Sequence, residues 1–99
     1  MEIKNLSQLK RALKVGARFE IVEHYIKPAY TGQIRRVQVV QTNGLYTGID
    51  GKPDDPVSKS NYGKGSWIEF GKASNWEFAD GCCTQSCARG KVWKIRVLG

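Results

Sequence analysis

Leucines recur along the start of the chain at Leu6, Leu9 and Leu13, with Ala12 beside them. Positions three and four apart share one face of a helix, so this spacing predicts an amphipathic helix over 5–15. Asn5 can cap it, because its side-chain oxygen can accept a free first-turn amide, and Gln8 follows three residues on as in a capping box. Lys10, Arg11 and Lys14 fall in the C-terminal half, where the helix dipole favours cations. Gly16 is a natural stop. So short a helix is marginal in isolation, so its leucine stripe needs a surface to dock on.

The pattern then changes period. Residues 18–26, "RFEIVEHYI", alternate in the manner of a strand, with Phe19, Ile21 and Tyr25 on one side and Glu23 among them. Pro28 and Gly32 punctuate the stretch that follows. Residues 33–41, "QIRRVQVVQ", are rich in β-branched side chains, and Asn43-Gly44 is a strong two-residue hairpin signal leading into 45–49, "LYTGI". Residues 50–65 are polar and rich in Gly and Pro, and read as one long loop, a kind of segment that in compact domains is usually functional. "SWIEF" (66–70) and "NWEFA" (75–79) read as a further hairpin, with Ile68, Phe70, Trp76 and Phe78 turned inward and Trp67 outward beside Glu69. Residues 91–98 close the pattern as a strand, with Trp93, Ile95 and Val97 alternating with Lys94, Arg96 and Leu98.

One helix followed by about six short strands gives an α+β domain. Its N-terminal helix is expected to pack on a curled antiparallel sheet or to plug a small open barrel, since either buries both apolar faces. The 99 residues are read as one domain, 1–99. Three Trp, four Tyr and three Phe are enough to anchor its core. No apolar stretch is long enough for a membrane helix. The opening "MEIKNLSQLKRALKVG" has no continuous apolar segment of the signal-peptide kind, so a cytoplasmic, thiol-reducing setting is expected.

Charge sharpens the picture. With 16 Lys and Arg against 9 Asp and Glu, the net charge is +7. An excess of this sign favours polyanions such as nucleic acid or acidic protein surfaces, although a charge of this size also serves plain solubility. If Trp93, Ile95 and Val97 face the core, Lys94 and Arg96 face outward, and Arg36 joins them if its strand pairs nearby. An outward Trp67 close to Tyr62 and Lys64 of the long loop would add a platform on which bases stack. The candidate binding residues are therefore Arg36, Tyr62, Lys64, Trp67, Lys94 and Arg96.

Catalytic and metal chemistry find little footing. "ADGCCTQSCARG" holds all three cysteines. Structural zinc takes four Cys or His ligands, commonly in paired knuckles, and here the fourth ligand to Cys82, Cys83 and Cys87 could only be His24, the sole histidine. The favoured reading is a turn carrying reduced thiols, and no cofactor is expected. "NYGKGSW" departs from the phosphate-loop pattern at Ser58 and Gly65, and "DGKPDDPVS" lacks the ligand register of a calcium loop. A catalytic cysteine would need a base, and His24 is again the only histidine. The expectation is a noncatalytic module.

The leader "NLSQLKRAL", the β-rich remainder and "GKGSWIEFGKASNWEF" together resemble small uncharacterised proteins carried by phages and conjugative elements of Gram-positive bacteria. That resemblance implies a bacterial cytoplasm and an accessory role, with no named activity. Three functions follow, in order: a binding module contacting nucleic acid through a basic, aromatic sheet face; a protein–protein interaction module of a mobile genetic element; and a small Cys3His zinc-stabilised domain.

Overall fold

The computed structural model describes residues 2–51 and 67–99. Helix α1 spans Leu6–Ala12. Seven strands follow among the described residues: β1 Arg18–His24, β2 Ile34–Gln41, β3 Gly44–Ile49, β4 Trp67–Glu69, β5 Trp76–Ala79, β6 Cys82–Cys87 and β7 Gly90–Val97. Short 3-10 turns at Pro28–Tyr30 and Ala73–Asn75 join β1 to β2 and precede β5. The strands form one sheet in the order β4-β3-β2-β1-β7-β6-β5, with every neighbouring pair antiparallel. The chain is thus two meanders, joined where β7 returns to pair with β1.

The helix is capped as its sequence predicts. Asn5 Oδ1 accepts from Gln8 N at 2.9 Å. The Gln8 side chain reaches back to Lys4 N at 2.7 Å, one residue ahead of the capping-box position. The helix is shorter than 5–15 because its last residues are drawn to the sheet. Gly16 N donates to Val37 O and Val37 N donates to Ala17 O, both at 2.9 Å. Gly16 makes this turn with φ +89°, a value that suits glycine. Leu9 and Leu13 are fully buried, each contributing roughly 1.5–3 kcal/mol, in one cluster with Phe19, Val37, Leu45 and Phe70.

The sheet curls until its two ends approach. Strands β4 and β5 stand at opposite edges of the sheet order, so "SWIEF" and "NWEFA" are not the hairpin expected of them. Side chains link the ends instead. Trp76 Nε1 donates to Phe70 O at 2.7 Å and Gln85 Nε2 donates to Glu69 O at 2.7 Å. Ile68, Phe70 and Trp76 are buried and Phe78 partly buried. Their inward direction follows from the curl and not from mutual pairing.

Two further expectations are corrected. The cysteine segment is a strand, β6, reached by a two-residue turn of Asp80 and Gly81 with φ +55° and +74°. Ala79 pairs with Cys82 across that turn. Two successive left-handed residues match the twist of a tight hairpin, and Asp-Gly is a strong sequence signal for one. At the other hairpin, Gln41 pairs with Gly44, which makes Thr42 and Asn43 the turn and Gly44 the first residue of β3. Gly44 is required by contact. A Cβ there would collide with Ile68 O and stand 2.7 Å from Trp67 Cη2.

Candidate functional site at the open end of the sheet

The curl leaves a cavity of about 360 Å³ whose lining includes His24, Tyr30, Arg35, Trp67, Gln85 and Trp93. None of its described lining residues belongs to the helix. The leucines of α1 fill one end of the curled sheet, and the cavity opens at the other. Its lining comes from β1, β2, β4, β6 and β7, of which β4 and β6 would stand far apart in a flat sheet of this order.

A bulge in β1 decides which residues reach this cavity. Ile21 pairs with Ile95, but the next pairs are Glu23 with Lys94 and His24 with Trp93. The extra residue, Val22, breaks the two-residue period. Beyond it His24 turns to the cavity beside Trp93, and Glu23 no longer shares a face with Ile21. Strict alternation predicts the opposite. A second irregularity, between Gln85 and Ser86, leaves Val92 beside Trp93 in the cavity wall.

The wall is one connected set of contacts. Arg35 is only 6% exposed. Its Nε and Nη2 donate to Gln33 Oε1 at 3.0 and 2.8 Å, and its Nη1 donates to Thr47 Oγ1 at 3.3 Å. The guanidinium carbon lies 5.2 Å from the centre of the Tyr30 ring, and Lys27 Nζ lies 5.5 Å from it, so that ring's electron-rich faces serve two cations. Tyr30 meets His24 edge-on at 5.4 Å, and His24 meets Trp93 at 5.9 Å. Trp93 Nε1 in turn donates to Gln85 Oε1 at 2.9 Å. Hydrogen bonds and ring contacts thereby fix the orientation of each polar group before any partner arrives.

His24 is held neutral. Burial, then the positive charges of Lys27 and Arg35, lower its pKa below the usual 6.5. Its Nδ1 accepts from Lys27 N at 2.9 Å. A nitrogen that accepts an N–H carries no proton, so the neutral ring is protonated on Nε2. More positive charge stands near the rim. Lys91 Nζ lies 5.7 Å from the Tyr25 ring centre, and Tyr25 N donates to the O of Val92, a wall residue. Arg89 sits in the turn after Cys87, another wall residue, whose Sγ accepts from Arg89 N at 3.4 Å.

The residues singled out from sequence fall in three places. Trp67 lines the cavity, packs against Tyr46 at 4.8 Å between ring centres, and overlies Gly44. Tyr62 and Lys64 lie outside the described residues. Arg36, Lys94 and Arg96 lie on β2 and β7, flanking β1, but the stripe they were expected to form is interleaved with carboxylates. Arg36 Nη1 lies 3.4 Å from Asp50 Oδ1, Arg18 Nη1 lies 3.6 Å from Asp50 Oδ2, and Arg96 bonds to Glu20. Lys94 stands in register with Glu23. Arg35, the neighbour of Arg36, points into the cavity instead.

The four candidate metal ligands are not gathered. Among the described residues, no group of three or more His, Cys, Asp and Glu is placed to hold a metal ion. Cys82 and Cys83 are consecutive in β6 and so project to opposite faces. Cys83 enters the core at 2% exposure, where burial pushes its thiol up to about 11. Cys87 is exposed, and His24 keeps its Nδ1 on Lys27 N.

The residues that the sequence reasoning missed are Arg35, Tyr30, Gln85 and Trp93. Trp93 was expected in the core, and "RR" at 35–36 marks a pair of which one must face inward. Nothing local showed which. No helix among the described residues is long and apolar enough to cross a membrane. No protein-family model, curated protein or solved structure matches the chain.

Proposed function

We propose that the protein is a noncatalytic binding module for single-stranded nucleic acid and that the open end of the curled sheet is its binding surface. The observation that carries this reading is the coincidence of aromatic rings and cations at one preorganised opening. Tyr30, Trp93 and Trp67 stand with Arg35 and Lys27 there, and Arg89 and Lys91 follow in the β6–β7 turn and the start of β7. Bases of single strands stack on aromatic side chains while cations track the phosphates. The outer face, expected from sequence to do this work, is a poorer match because its arginines already answer Asp50 and Glu20. A small accessory module of this kind also suits the mobile-element setting that the resemblance implies.

The test is an amide-resolved NMR titration with single-stranded DNA, single-stranded RNA and duplex DNA, repeated over a range of salt. Three phosphate contacts, from Lys27, Arg89 and Lys91, give a log–log salt slope of about −2.1 for a single strand. Shifts should cluster on the rim and on Trp93, and Arg36 and Arg96 should move little. No shifts with any of the three at millimolar concentration would overturn the reading and direct attention to a protein partner.

A further inference from the structure

We infer that the groove between helix α1 and the end of β7 docks a segment of a partner protein that presents an apolar side chain flanked by carboxylates. The inference is independent of the single-strand reading, because none of the groove's described lining residues belongs to the open-end cavity.

The strands hold the two sites apart. β7 leaves the cavity wall at Val92 and Trp93 and reaches the groove at Val97. The groove has a volume of about 400 Å³, within the range of about 300–1,000 Å³ found for sites that enclose a ligand. Its apolar surface comes from Ile3, Ala12, Val97 and Leu98. Ile3 and Val97 pack against the core, so this surface is anchored from below. Leu98 is 41% exposed, and Val15, next along the chain from the lining residue Lys14, is 64% exposed. Seating a partner on Leu98 removes apolar area from water, which is the source of affinity at the centre of an interface.

Charge then defines the partner. Arg11 and Lys14 line the groove and are exposed. On the outer face of the sheet, Arg18, Arg36 and Arg96 each lie against Asp50 or Glu20. Among the described residues, no carboxylate stands within ion-pair distance of Arg11 or Lys14. Even with a carboxylate counted at Gly99, another lining residue, the groove keeps a net positive charge. A complementary surface is therefore apolar at its centre and acidic at its rim. Phosphates of nucleic acid would answer the two cations but leave Leu98 in water. A lipid bilayer is broad and would leave a concave floor unfilled. A protruding apolar side chain fills the floor and carries its flanking carboxylates to the rim.

The experiment selects peptides from a random displayed library on the intact protein and maps the selected peptide by amide-resolved NMR. Selection should enrich peptides that combine Leu, Phe or Trp with Asp and Glu. The enriched peptide should shift the amides of Arg11, Lys14 and Leu98. Replacing its acidic residues by Ser should weaken binding about 2-fold to 30-fold, the effect of two exposed ion pairs. Arg11→Glu combined with Lys14→Glu should turn the selection toward Lys and Arg, a reversal that loss of folding cannot produce. Failure to enrich any peptide, enrichment without acidic residues, or shifts confined to the open end overturns the inference. Phosphatidylglycerol vesicles or oligo-dT that shift the groove amides more strongly than the selected peptide would assign the groove to a membrane or to nucleic acid, and overturn it as well. The wild-type selection decides the matter even if the variant folds poorly.

Discussion

Gly44 opens β3 directly under the edge strand β4, in register with Glu69. Its backbone is not in the left-handed region, so an alanine there meets no conformational strain. What it meets is matter. The new Cβ would collide with Ile68 O and come within 2.7 Å of Trp67 Cη2. A backbone carbonyl in a paired strand cannot swing aside as a flexible side chain can, so β4 or the indole must shift. Overpacking of this kind costs about 1–3 kcal/mol. Alanine also restricts the unfolded chain, which returns about 0.4–1 kcal/mol. Taking the centres of the two ranges, the net loss for Gly44→Ala is about 1.3 kcal/mol. In a domain of this size each kcal/mol lowers Tm by about 4–8 °C, so calorimetry should find Tm reduced by several degrees and indole fluorescence should report a displaced Trp67. The contrasting position is Gly81, where φ is +74° and nothing stands within 4 Å of a Cβ. Gly81→Ala should cost about 1–2 kcal/mol from backbone strain alone, with Trp67 undisturbed. An alanine at position 44 that leaves Tm unchanged or raises it would refute the contact between β3 and β4 described above.

Other outcomes follow from the same contacts. Leu9→Ala empties the fully buried seat of the helix and should cost about 2–5 kcal/mol in urea unfolding; a loss under about 1 kcal/mol would mean that the helix is not docked. His24 has its pKa lowered beneath 6.5 by burial, Lys27 and Arg35, so the unfolded chain binds this proton more readily than the folded one. Its contribution to stability is complete above about pH 6.5, is lost as pH falls through the lowered value, and levels off below it. Urea midpoints of wild type and His24→Gln, compared between about pH 7.5 and about pH 5, should show the steeper fall in wild type; the reverse order would contradict the environment described for His24. Cys83, buried and pushed up to about 11, should resist alkylation at mildly alkaline pH while exposed Cys87 is modified first. Peptide mapping that finds Cys83 labelled as fast as Cys87 would place it outside the core.

Local rules carried much of the architecture because each acts over a few residues. The leucine spacing and Asn5 located the helix, and β-branched alternation located β1, β2, β3 and β7 to within two residues at either end. The strand missed, β6, is the one whose inward positions are filled by Cys83 and Gln85 in place of large aliphatics. Asp80-Gly81 announced its hairpin, but without apolar alternation after it the segment read as a turn. Asn43-Gly44 failed in the opposite sense. The dipeptide has the chemistry of a tight turn, yet the glycine is spent on the approach of Trp67.

The candidate site depended on facts with no local signature. Alternation along β1 assigns His24 and Glu23 to opposite faces, and one inserted residue at Val22 reverses the assignment; only pairing with β7 reveals it. Composition supplies an excess of positive charge, but not its local pairing, because Asp50 at the end of β3 reaches Arg36 on β2 and Glu20 on β1 reaches Arg96 on β7. The cavity itself exists because a seven-stranded sheet curls until β4 meets the side chains of β5 and β6. Helix, strands and charge are properties of neighbours along the chain, and so they can be read along the chain. Which cation is buried, which is paired and which rings share a cavity are properties of residues far apart in sequence, fixed by strand order, register and curl.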